Sequence, residues 1–276
     1  MIEAIFQYTF MRNAFIAALL ASVVTGILGS IAMEKRLISM SGGIAHASFG
    51  GIGLGYLLGF EPIWGGLGFA VGSSFLIAKL SDNKKIKSDT MTGVLWAFGM
   101  ALGILFISLA PGYMPDMTSY LFGDILSVAT DSLWIMAGFS AVITILFVAF
   151  YHHLVLYLFD EGYAKVKGIA VGILKWMVYI MIPVGIIVVV KVVGIVLSIA
   201  LLTIPASIAK LYAKSFKGVV INAVLLSALF CISGLAISYH INIPSGVCII
   251  ILSTIIYLGI LGVKAIIVGR QKAEQK

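Results

Sequence analysis

Apolar residues run in blocks of about twenty along nearly the whole chain, and the polar residues between the blocks are few and mostly basic. A hydrocarbon core roughly 30 Å thick is crossed by about 20 residues of a helix rising about 1.5 Å per residue. Each block therefore predicts a membrane-spanning helix, at about 14–33, 43–60, 63–80, 91–110, 133–150, 171–190, 193–210, 218–238 and 247–268. The pattern predicts an all-α, polytopic membrane protein with eight or nine spans. Two stretches fall outside the pattern. Residues 1–13 alternate aromatic and polar side chains (Phe6, Tyr8, Phe10, Arg12), which suits an interfacial helix lying on the membrane surface. Residues 119–128 are too polar and too short to cross, and are read as an outer, re-entrant helix.

Charge fixes an orientation. Lys35 and Arg36, then Lys84, Lys85 and Lys87, then Lys165 and Lys167, and finally Arg270 and Lys272 follow alternate blocks, and the positive-inside rule puts them in the cytoplasm. The amino terminus is then outside and the carboxy terminus cytoplasmic, with Glu61, residues 111–116 and His240 outside as well. Lys191, at the outer end of the sixth block, is the exception. With 61% hydrophobic residues, 11% charged residues and a mean hydropathy of +1.15, the 276 residues leave no room for a separate soluble domain, so 1–276 reads as one transmembrane domain. The net charge of +7 belongs to short loops at segment ends and not to one basic patch, which excludes nucleic acid as a partner and leaves membrane lipid. Cys231 and Cys248 both lie in apolar blocks, without a CxxC or histidine-rich context, and read as packing residues.

The candidate chemistry begins at Ser41–Gly53, a glycine-rich run with His46 inside it. On a helix, Gly42, Gly43, Gly50 and Gly53 share a broad face with His46, while Ile44, Phe49 and Ile52 point elsewhere. Small residues let a second helix approach closely or leave room for an ion, and an intramembrane histidine normally faces protein or a water-filled cavity. His46 is thus either a ligand on a pathway or a packed histidine bonded to a neighbouring carbonyl. Residues 160–168 open with Asp160 and Glu161 and close with Lys165, Lys167 and Gly168, the charge order of a short capped helix suited to docking. In 193–210, Pro205 interrupts a span in which Ser198, Thr203 and Ser207 can satisfy freed carbonyls, so this segment is built to bend. Asp124 could contact an ion at the outer mouth or cap a helix, and Asp116 and His240 stand in the same position. His152 and His153 read as interfacial histidines reaching water.

No GxxxxGK[ST] run is present, so the chain has no nucleotide site of this kind. The spans are nearly free of Asp and Glu, which weighs against a stand-alone proton- or sodium-coupled transporter or channel. The absence of HExxH, of a nucleophile elbow and of a Ser/His pair with an orienting group argues against an intramembrane enzyme.

Several segments taken in order resemble the permease subunits of ATP-binding-cassette importers for zinc, manganese and iron. They are Arg36-Leu37 through His46-Ala47-Ser48 with the glycines that follow, Thr92-Gly93, Tyr120 to Leu126, Asp160-Glu161 to Gly168, and Val193-Gly194 to Pro205-Ala206. The resemblance implies two permease copies around a central path, cytoplasmic ATPase subunits that carry out ATP hydrolysis, and an extracytoplasmic metal-binding protein. It implies no permanently bound cofactor, a divalent metal as cargo (zinc first, then manganese or iron), and the plasma membrane of a prokaryote. Carried over residue by residue, it makes His46 the pathway histidine and Asp160, Glu161, Ala164 and Gly168 the coupling helix. One departure stands out: such permeases usually have an aspartate one turn before the histidine, and here that residue is Gly42. A lone imidazole suits a transient relay better than a tight cage.

Overall fold

A computed structural model describes residues 7–81, 88–111, 121–123 and 125–274. Among these it contains α-helices and one 3-10 turn (Ile125–Ser127), with no strand. The helices are α1 (Thr9–Glu34), α2 (Ile38–Leu58), α3 (Pro62–Ser81), α4 (Ser88–Leu109), α5 (Thr130–Ala149), α6 (Tyr151–Phe159), α7 (Glu161–Val166), α8 (Val171–Val193), α9 (Ile195–Tyr212), α10 (Phe216–Ile241) and α11 (Ser245–Glu274). Eight of them are long and apolar enough to cross a membrane. Helix α2, at 21 residues, has the length but is diluted by glycine, serine and His46; it is shielded instead by its neighbours, packing along most of its length against α3 and α4.

Helix α1 forms the centre of the remaining bundle, against α10, α9, α5 and α8. Its alanines and glycines allow close approach, and its hydroxyls are satisfied within the protein, as an apolar surround requires. Ser22 and Ser30 donate back to the carbonyls of Ala18 (2.6 Å) and Gly26 (2.7 Å), and Thr25 meets Ser227 of α10 at 3.1 Å. Residues 1–6 of the expected interfacial segment lie outside the described residues. Thr9 to Asn13 form the first turns of α1, where buried Asn13 donates to the Val128 carbonyl (3.3 Å) and meets Thr130 (3.2 Å) at the start of α5.

Of the expected re-entrant segment, residues 121–123 and the 3-10 turn are described, with Ile125 buried; Asp124 and 112–120, including Asp116, lie outside the described residues, as do Lys84, Lys85 and Lys87. The backbone of Gly123 (φ +68°) rests on that of Gly194 (φ +84°). Both conformations are open to glycine without a side-chain penalty, and a Cβ on either would run into the other's backbone. Gly194 is the sole residue between α8 and α9. The chain breaks there, while α9 continues helical through Pro205, with the Ser207 hydroxyl donating to the Thr203 carbonyl at 2.7 Å.

At one end of the bundle Lys191, the charge that stood out in the sequence, lies 3.7 Å from Glu61, which precedes α3. A cavity of about 300 Å³ opens beside this pair, bordered by Gly123, Ser127 and Ser132. At the other end lie the turn joining α1 to α2, the short helices α6 and α7, and the last turn of α9.

Candidate functional site

Three helix faces converge on a cavity of about 650 Å³. Helix α2 contributes Ser39, Gly42 and His46; α4 contributes Asp89, Thr92 and Trp96; α9 contributes Val196, Ile199 and Thr203. Within each helix these residues recur at spacings of three, four or seven, so one stripe of each helix faces the same space.

The imidazole of His46 stacks on the indole of Trp96, with ring centroids 4.5 Å apart and planes 8° from parallel. Its Nδ1 is buried without a hydrogen-bond partner, which leaves Nε2 as the nitrogen open to the cavity. The hydroxyl of Thr92, on a side chain only 3% exposed, is the other buried group without a partner among the described residues. Both atoms are closed off from the cavity, where α2 packs on α4, so neither is available to water or an ion within it. Toward the α7 end the Ser39 hydroxyl donates to Asp89 at 2.9 Å. Among the described residues no three histidines, cysteines or acids are grouped closely enough to hold a metal as a cage. The cavity lining offers one imidazole, that of His46, and one carboxylate, that of Asp89.

The glycine face expected beside His46 divides in two. Gly42 borders the cavity, and a Cβ there would meet only Ile199 Cγ2, at 3.9 Å. Gly43, Gly50 and Gly53 point into the packing between helices: a Cβ on them would meet Thr92, Phe69 with the Gly99 carbonyl, and Gly103 respectively. They bring α2 onto α4 at backbone distance and do not line the cavity. The physical reason is angular: residues 42 and 43 are about 100° apart around a helix, enough to place one on each side of the contact with α4.

Residues 160–168 form the capped helix expected of them. The Asp160 carboxylate accepts the Tyr163 N–H at 2.8 Å, Glu161 pairs with Lys165 at 3.2 Å, and Gly168 closes the turn at φ +76°. Glu161 also lies 3.6 Å from Lys35. Ala164 is fully buried and faces the bundle, while the other residues of α7 are exposed, Tyr163 (46% exposed) and Val166 (86%) being its large apolar ones. Neither was singled out in the sequence, although two apolar side chains three apart on a helix outside the spans are a readable signal. Asp89 and Trp96 were missed too; their spacing from Thr92, three before and four after, places all three on one face. Of the remaining candidates, His240 ends α10 in its last turn, and His152 and His153 lie in α6.

The eight apolar helices, each long enough to cross a membrane, mark a polytopic membrane protein. The ABC 3 transport family matches residues 7–264, and the chain belongs to that family. It is 41% identical over 258 residues to the uncharacterized membrane protein slr2045 of Synechocystis, covering 94% of this chain and 92% of the relative. It is 32% identical over 257 residues to the manganese import system permease protein ScaB of Streptococcus gordonii, covering 93% and 92%. Its fold matches a chain of PsaBC from Streptococcus pneumoniae, solved in complex with Fab, with a TM-score of 0.83, 30% identity, and coverage of 93% and 92%.

Proposed function

We propose that this chain is the membrane permease of an ABC importer that carries a divalent transition metal into the cytoplasm, with ATP hydrolysis in a separate cytoplasmic ATPase. What carries the reading is the combination, in one chain of this family, of the His46 cavity and a capped docking helix. Helix α7 sits outside the spans and presents Tyr163 and Val166 to its surroundings; an exposed apolar pair on a short, rigid helix is the form an inter-protein anchor takes. Asp160, Glu161 and Gly168 fix that helix by cap, ion pair and turn, and the α7 end of the bundle is cytoplasmic.

The cargo passes His46, whose imidazole serves as one transient ligand. Two permease copies facing each other would supply two imidazoles, and an extracytoplasmic metal-binding protein would deliver the ion at the Glu61–Lys191 end, where Asp124 stands by sequence as a further candidate contact. The relative from Streptococcus gordonii is named a manganese permease, which supports manganese. An imidazole with no carboxylate one turn away suits zinc better than manganese, which prefers oxygen donors. Both belong in the first test, with iron after them. The stand-alone transporter reading finds no support in the described spans: their acids, Glu34, Asp89, Asp131 and Glu274, stand in the first or last turn of a helix, and Glu61 precedes α3.

The test is uptake of radiolabelled zinc and manganese by proteoliposomes holding the chain alone or with a cognate cytoplasmic ABC ATPase. Uptake that needs both the ATPase and ATP is the expected result. Uptake by the chain alone, driven by a proton gradient, would overturn the proposal.

A further inference from the structure

Where α1 turns into α2 stand two adjacent residues of opposite charge, each paired with a different helix. Glu34, the last residue of α1, has a side chain only 10% exposed and accepts from Lys210 Nζ at 3.0 Å. Lys210 lies in the last turn of α9, two turns beyond Thr203 on the same face, so it extends the helix surface that walls the His46 cavity. Lys35, with a side chain 18% exposed, reaches the other way: its Nζ is 3.6 Å from Glu161 of α7 and 3.6 Å from the centroid of the Tyr157 ring of α6.

The turn itself is stiff. Arg36 adopts φ +57°, a left-handed conformation that a residue with a long side chain rarely takes. It is held by the Arg36 N–H on the Met33 carbonyl (3.2 Å) and the Leu37 N–H on the Ala32 carbonyl (2.7 Å). An isolated exposed ion pair adds little to stability. Two ion pairs on neighbouring residues of one turn nevertheless connect α7 to α9 through α1.

We propose that Glu34 and Lys35 are positioning residues for transport, a linkage that passes displacement of α7 to α9 and so to the wall of the His46 cavity. The linkage rests on the reading of α7 as the ATPase-docking helix. Neither residue touches the cargo. Their part is to keep the cavity wall in step with the ATPase, so their loss shows as ATP hydrolysed without metal moved.

The experiment measures metal transported per ATP hydrolysed in proteoliposomes of the assembled permease and ATPase, using whichever of zinc and manganese the wild type accumulates. Glu34→Lys and Lys210→Glu are each expected to lower that ratio about fivefold, and the exchanged pair to bring it back to within about twofold of wild type. If the reversals fail to assemble, Glu34→Gln and Lys210→Met carry the same ratio measurement, again with an expected fall. A wild-type ratio in the single variants, or an exchanged pair no better than either single, overturns the linkage. Val166→Cys is cross-linked to the ATPase in parallel. A missing cross-link overturns the docking reading and the linkage with it, whereas a cross-link without rescue by the exchanged pair overturns the linkage alone.

Discussion

Gly53→Ala is the perturbation whose outcome the packing of α2 on α4 dictates most sharply. A Cβ at Gly53 would lie 2.5 Å from the carbonyl oxygen of Gly103, 2.9 Å from its Cα and 3.1 Å from its carbonyl carbon. All three atoms are backbone, so no side chain can rotate away. Carbon–carbon contacts are favourable at about 3.5–4.0 Å, so α2 and α4 must part by about 1 Å at this level. That parting weakens every contact the two helices share nearby, among them the Gly50–Gly99 approach and Phe49 on Gly103. Overpacking a fitted interface costs about 1–3 kcal/mol, and a backbone obstacle places this case near the top of that range. For a chain of this size such a cost lowers Tm by roughly 5–10 °C. Gly42→Ala is the control on the same helix. Its Cβ finds one neighbour at an ordinary 3.9 Å, and helix propensity favours alanine by about 1 kcal/mol, so its Tm should hold or rise. Thermal unfolding of the detergent-solubilised protein, with monodispersity checked by size exclusion, reads both variants. A Gly53→Ala protein as stable as wild type would refute the reasoning, as would one in which the two substitutions behave alike.

Three further outcomes are expected. Lys191→Met removes an ion pair with a well-exposed partner, so stability should change by less than about 1 kcal/mol in a thermal scan. Burial holds the Lys35 ammonium below its usual 10.5, with Glu161 pushing back up. The folded chain therefore binds fewer protons than the unfolded chain between that lowered value and 10.5, and stability from this group rises with pH across the window. Glu161→Gln should widen the window and enlarge the alkaline gain in Tm; an unchanged pH profile would contradict it. Val166→Asp should reduce co-purification of the ATPase about tenfold while leaving the permease folded by size exclusion, since burying a carboxylate in an apolar contact is costly.

The spans were legible because each depends on a local quantity, a run of apolar residues long enough to cross. The block at 171–190 appears as Val171–Val193, and that at 133–150 as Thr130–Ala149. The capped helix at 160–168 was legible for the same reason, since its acids, lysines and glycine signal within one short segment. Contacts between distant segments were not. Nothing local assigns Gly43 to Thr92 and Gly42 to the α9 side, or sets Lys191 beside Glu61 across 130 positions of chain. The break near Gly194 was legible, since Lys191 divides the apolar run between the blocks 171–190 and 193–210, but the seating of Gly194 on Gly123 was not. The stacking of Trp96 on His46 needed the register of α4 against α2, which periodicity within either helix does not supply.

Whether His46 hands the metal along or only holds two helices together is decided by uptake in His46→Gln, measured on equal amounts of assembled permease–ATPase complex. Glutamine keeps a polar group of similar reach and can replace a hydrogen bond, but it cannot offer an imidazole nitrogen to a transition metal. If the cavity nitrogen is the ligand, uptake falls at least about tenfold while assembly and ATPase docking stay at wild-type levels. Wild-type uptake in His46→Gln would contradict it and reduce His46 to a packing residue.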